Sequence, residues 1–148
     1  MKKKPKLTVG WREWVSIPEL GIKKIKVKVD TGARTSSLHA VHLKKTGRTK
    51  PMIEFECNPH QDGGRLIKCK LPLVDERRVK SSNGHSSLRP VVKTIIKLGD
   101  KEWPIEITLI DRDIMGFRML LGRQALKNSF LVSPGESFLI GKYNKKTK

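Results

Sequence analysis

The sequence predicts an all-β domain, a closed barrel or a sandwich. Apolar and polar residues alternate at period two along several stretches, turn clusters separate those stretches, and only one short segment has helical character.

In chain order, residues 8–17 form the first candidate strand. Next, Ile25, Val27 and Val29 alternate with Lys24, Lys26 and Lys28, which describes a strand with one buried and one solvated face. Residues 37–44, 52–57, 65–71 and 89–98 follow as further strands. Trp103, Ile105, Ile107 and Leu109 repeat the alternation, with Glu106 and Thr108 on the opposite face. The apolar run Met119-Leu120-Leu121 enters Gly122, after which residues 123–127 read as the one short helix, and 138–140 as a last strand. Clusters rich in Gly, Pro, Asn and Ser at 58–64, 81–84, 99–100 and 133–135 mark the turns. The charged arms of 75–90 around Ser81-Ser82-Asn83-Gly84 describe a hairpin, either simply exposed or lying over a site. No repeat or linker divides the 148 residues, so one domain is expected over 1–148, with flexible basic tails at 1–7 and 142–148.

The formal charge is +18, and the Lys-rich ends, Lys2–Lys4 and Lys142–Lys148, hold only seven of the 32 basic residues. A field of that sign gathers polyanions: nucleic acid, ribosomes or acidic polypeptide. Cys57 and Cys69 are the only cysteines, too few for a disulfide framework, which favours a reducing compartment. The basic segment 1–6 is followed by no apolar signal region, and no stretch approaches the roughly 20 apolar residues of a membrane helix. A cytoplasmic protein without membrane contact is the expectation.

The chemistry points to Asp30. Asp30-Thr31-Gly32-Ala33 follows directly on the 25–29 strand, so a carboxylate stands at the edge of a core. Gly32 permits a tight turn, and its amide and the Thr31 hydroxyl can hold the carboxylate in one orientation. Asp-Thr-Gly alone is also an ordinary turn sequence. What distinguishes it here is the later string Arg118-Met119-Leu120-Leu121-Gly122-Arg123.

Together, the early Asp-Thr-Gly-Ala, the central hairpin and the late Leu-Leu-Gly-Arg resemble the retropepsin-like aspartic peptidases. The longer string from Lys28 through Asp30, Arg34 and Ser37 to Ala40 is similar to the signature of one bacterial family within that group, formerly labelled ATP-dependent zinc proteases. The resemblance spans residues 9–140 and implies a closed acid-protease barrel. It also implies a dyad of two aspartates about 3 Å apart that share one proton, the ionised one activating water and the protonated one donating to the oxyanion. One Asp-Thr-Gly per chain then requires a homodimer, each subunit contributing its Asp30. Asp30, Thr31 and Gly32 become the catalytic positions. Ala33, Arg34 and the flap tip Ser82, Asn83 and Gly84 become substrate contacts, and Gly122 and Arg123 support the site.

Retroviral relatives carry an acidic residue where Arg34 stands, and it pairs with the Arg of the late motif. Arg123 is therefore expected to find another carboxylate. Arg34 would present a guanidinium near the scissile bond, suited to a substrate carboxylate by bidentate pairing. With the net charge, this favours acidic, glutamate-rich peptide segments such as modified ribosomal protein tails. The family's resemblance to partners of glutamate-adding ligases points the same way.

Two alternatives compete. A zinc-dependent peptidase would draw ligands from His39, His42, His60, His85, Cys57 and Cys69, but neither a His-Glu-x-x-His nor a paired Cys-x-x-Cys is present. No phosphate-cradling Gly-x-x-x-x-Gly-Lys loop is present either, so no cofactor is expected. A basic ribosome- or RNA-binding module could stack bases on Trp11, Trp14 and Trp103, although their positions in strand patterns favour packing.

Overall fold

The structure, a computed structural model, describes residues 6–59, 65–80, 84–111 and 116–140. Its strands are β1 (Leu7–Ile17), β2 (Ile22–Asp30), β3 (Ser36–His39), β4 (Val41–Thr46), β5 (Met52–Cys57), β6 (Ile67–Lys80), β7 (Ser86–Leu98), β8 (Lys101–Ile110), β9 (Met119–Gly122) and β10 (Phe130–Ser137). A 3-10 turn, Pro18–Leu20, joins β1 to β2, and helix α1, Arg123–Leu126, follows β9.

The strands run β10-β1-β2-β9-β3-β8-β7-β6-β5-β4. Ser16 of β1 also pairs with Lys97 of β7, which closes the six strands from β1 round to β7 into a barrel. The interior follows from the period-two pattern: Ile25, Val27, Ile107, Leu109, Met119 and Leu121 are all essentially inaccessible. Each such side chain contributes roughly 1.5–3 kcal/mol by leaving water. β4, β5 and the first half of β6 extend the sheet, and Ile53, Phe55 and Leu71 join the same core.

Where the structure departs from the sequence reading, local chemistry explains it. Residues 138–140 are not a strand: Phe138 has φ +54°, and the amides of Leu139 and Ile140 donate to the buried Glu13 carboxylate at 2.9 and 3.1 Å. The Ser133-Pro134-Gly135 cluster is no turn between strands but an irregular step within β10, an edge strand where proline costs no ladder bond. The 37–44 stretch breaks in two because Ala40 bonds Ile110 and His42 takes φ +56°. By contrast, the 75–90 hairpin runs as expected through the β6–β7 ladder to Lys80 opposite Ser86.

Candidate active site

β9 threads between two strands, parallel to β2 and antiparallel to β3, so the loop joining β2 to β3 must wrap around its end. That crossing builds the site. Asp30 closes β2 and lies opposite Gly122, the last residue of β9. Gly122 is required there: a Cβ would come within 2.7 Å of the Thr35 carbonyl carbon and 3.0 Å of the Ala33 oxygen, both backbone. Its amide donates to the Ser36 hydroxyl at 3.0 Å.

The half-buried Asp30 carboxylate accepts the Gly32 amide on Oδ1 at 3.0 Å, while the Ala33 amide closes the turn onto the Asp30 carbonyl at 3.2 Å. Of the two expected orienting groups, Gly32 thus supplies the bond to the carboxylate, and Thr31 enters through its carbonyl. The Arg123 guanidinium donates from Nη1 to the carbonyls of Thr31 at 3.3 Å and Gly32 at 3.2 Å. This corrects the expectation of a substitute carboxylate for Arg123. Peptide carbonyls fill that role because α1 starts directly behind the turn. The first amides of α1 finish the clasp, Arg123 to the Ala33 carbonyl at 2.9 Å and Gln124 to the Arg34 carbonyl at 3.1 Å.

Arg34 and Thr31 are exposed, Ala33 is half-buried, and Gly84 stands exposed at φ +89° near the hairpin tip. Ser81, Ser82 and Asn83 lie outside the described residues. Three contributors escaped the sequence reading: Ser36, Gln124, and Thr108, which donates to the Ser36 carbonyl at 3.2 Å and meets Ser37 at 2.9 Å. Only the Ser36-Ser37 pair inside the long string hinted at them.

The other candidates have separate employments. Trp103 donates from Nε1 to the Ala125 carbonyl at 3.0 Å, Trp11 meets Phe117 edge-on, and Trp14 stacks on Phe138. All three are packing residues. His42 pairs with Glu56 at 2.6 Å. Cys57 and Cys69 face each other with sulfurs 3.8 Å apart. Their mutual hydrogen bond pushes the Cys57 thiol up and holds the Cys69 thiol down. Among the described residues no three His, Cys, Asp or Glu side chains converge as metal ligands, and His60 lies outside them. Nor is any described helix long and apolar enough to cross a membrane.

Comparison with known proteins gives this geometry its context. The model of the RimB-like family, described as retropepsin-like aspartic endopeptidase RimB, matches residues 8–143. A probable alpha-L-glutamate ligase of Shewanella pealeana is 47% identical over 138 residues, covering 92% of this chain and 30% of that protein. The namesake proteins of Desulfotalea psychrophila and Parasynechococcus marenigrum are 42% and 43% identical, with 31% and 30% of their lengths covered. The chain therefore spans under a third of these relatives. A solved Legionella pneumophila protein of unknown function superposes with TM-score 0.76 at 29% identity, covering 91% of this chain and 98% of that one.

Proposed function

Because this chain belongs to the RimB-like family of retropepsin-like proteins, we propose that it hydrolyses peptide bonds with a dyad of two Asp30 carboxylates, one from each subunit of a homodimer. The observation that carries this reading is the Asp30 turn itself. The carboxylate stands where β2 meets β9, is oriented by one backbone amide, and is clasped from behind by Arg123 and α1. A turn held that rigidly suits a group that must present its oxygens in one direction.

In the dimer, two like charges at about 3 Å cannot both persist, so the pair keeps one proton. The ionised Asp30 removes a proton from water as its oxygen attacks the peptide carbonyl. The protonated Asp30 of the second subunit donates to the oxyanion. The tetrahedral intermediate then collapses and the C–N bond breaks. The leaving amine takes the proton that the first Asp30 drew from water, and the second Asp30 regains its proton from the gem-diol as the carbonyl re-forms.

For the substrate, we propose glutamate-rich peptide segments. The net charge of +18 draws in polyanions, and the exposed Arg34 lies on the Asp30 loop. Matching stretches also occur inside much longer proteins named for glutamate ligation, where a hydrolase for glutamate-rich chains is chemically coherent. That ligase name describes the longer proteins, and this sequence carries no Gly-x-x-x-x-Gly-Lys phosphate loop of its own.

The deciding experiment compares wild type with Asp30→Asn on a peptide bearing a poly-glutamate tail, with and without a zinc chelator. Cleavage that the substitution abolishes, by about 10²–10⁴-fold, and the chelator leaves unchanged is the expected result. Activity that survives Asp30→Asn, or vanishes with chelator, overturns the reading.

A further inference from the structure

A cleft of about 290 Å³ borders the loop that carries Asp30. Thr35, from that loop, and Gln124, from α1, line one side, with Lys93 of β7, Glu106 of β8 and Arg77 of β6 across from them. Ile105 is its buried apolar lining. Thr35 and Gln124 sit beside the Asp30–Gly122 crossing, since the Gly122 backbone packs on Thr35 and the Gln124 amide bonds Arg34.

The charges in this cleft are not evenly matched. Lys93 and Glu106 stand directly opposite each other in the β7–β8 ladder, the placement that normally joins a cross-strand ion pair. Here the Glu106 carboxylate is taken by Arg77 instead, at 2.5 Å, and Arg77 also holds Asp75 at 3.1 Å. Lys93 is thus left among the described residues with no ion pair of its own, and the lining carries two cations, Lys93 and Arg77, against the one carboxylate of Glu106. A hydroxyl from Thr35 and an amide from Gln124 complete a set of groups able to donate hydrogen bonds. A neutral acceptor gains a weaker hydrogen bond from that ammonium and a cationic side chain is repelled, whereas a carboxylate gains a bond between two opposite charges.

We propose that this cleft is a specificity subsite that receives a carboxylate side chain of the substrate, with Lys93 as its charge partner. It rests on the hydrolase reading and locates on this chain where acidity is sensed. The cleft touches the loop that carries Asp30 through Thr35, and α1 through Gln124 and Ala125.

The test measures fluorescence anisotropy of labelled hexaglutamate and hexaglutamine peptides on the full chain carrying Asp30→Asn, so that nothing is turned over. Hexaglutamate is expected to bind more tightly than hexaglutamine. Lys93→Met should weaken hexaglutamate binding about tenfold, as loss of one charge-assisted bond predicts. Lys97→Met, on the same strand and exposed but outside the cleft, should change it less than about twofold. Thermal unfolding of both variants should match the parent, because both side chains face water. Unchanged binding by Lys93→Met, an equal loss in Lys97→Met, or no preference for glutamate each overturns the subsite. Cleavage by chains that retain Asp30 is read separately. Asp30-dependent cleavage without Lys93-dependent binding sinks the subsite alone, and Lys93-dependent binding without cleavage sinks the hydrolase reading alone.

Discussion

The guanidinium of Arg123 donates to the carbonyl of Gly32 at 3.2 Å, and the Gly32 amide donates in turn to the Asp30 carboxylate at 3.0 Å. One residue therefore links the start of α1 to the candidate catalytic group. Replacing Arg123 with Ala should loosen the turn without removing the carboxylate. The expected result is a fall in kcat of about tenfold or more, with a stability loss of only about 1 kcal/mol because the side chain is exposed. Steady-state kinetics with a denaturant titration would measure both. Activity equal to wild type would show that the clasp has no role in positioning.

A dyad split between subunits predicts poisoning. Mixing wild type with about a tenfold excess of Asp30→Asn should convert most wild-type subunits into one-carboxylate heterodimers and depress activity about tenfold, by mass action. An enzyme that works as a monomer would keep its rate in the same mixture.

Glu13 is fully buried and accepts the amides of Gly10 at 2.7 Å, Leu139 at 2.9 Å and Ile140 at 3.1 Å. It takes the place of a strand partner for the chain after β10. Glu13→Ala would leave three donors without their acceptor, one buried and two part-buried, and should cost roughly 3 kcal/mol. Urea unfolding measures this, and hydrogen exchange at Leu139 and Ile140 should accelerate together. A loss below about 1 kcal/mol would mean that water replaces the carboxylate freely.

Glu19 anchors the 3-10 turn to β7. Its carboxylate accepts the Thr94 hydroxyl at 2.6 Å and the Ile95 amide at 2.9 Å, and these bonds hold its pKa below the ordinary glutamate value. A depressed folded-state pKa contributes stability that is present above the unfolded pKa. That stability is lost as pH falls through the folded one. Wild type should therefore lose Tm on acidification faster than Glu19→Gln, with the two curves converging at low pH. Parallel curves from neutral pH down to about 3 would contradict the assignment.

Much of this protein could be read from residue order alone, because the signals involved are local. Period-two alternation in Ile25, Val27 and Val29 sets which face of a strand meets the core, whatever lies across from it. The arms of a hairpin, paired as far as Lys80 and Ser86, and a turn at Asp-Thr-Gly depend on neighbours in sequence, and both stand where the pattern placed them. The family, too, was legible, because the string from Lys28 to Ala40 is long enough to be specific.

Tertiary structure decided what those local signals could not carry, namely contacts between residues far apart in the chain. That Arg123 holds carbonyls rather than a carboxylate depends on α1 beginning directly behind the Asp30 turn, a consequence of β9 threading between β2 and β3. Phe138, Leu139 and Ile140 have the apolar composition of a strand, yet a buried Glu13 on β1 captures two of their amides and ends the ladder. Glu106 faces Lys93 across the β7–β8 ladder, yet it bonds Arg77 from β6. In each case the competing partner comes from an element that sheet pairing brings alongside, and alternation along a strand says which face a side chain takes, not which distant group will bond it.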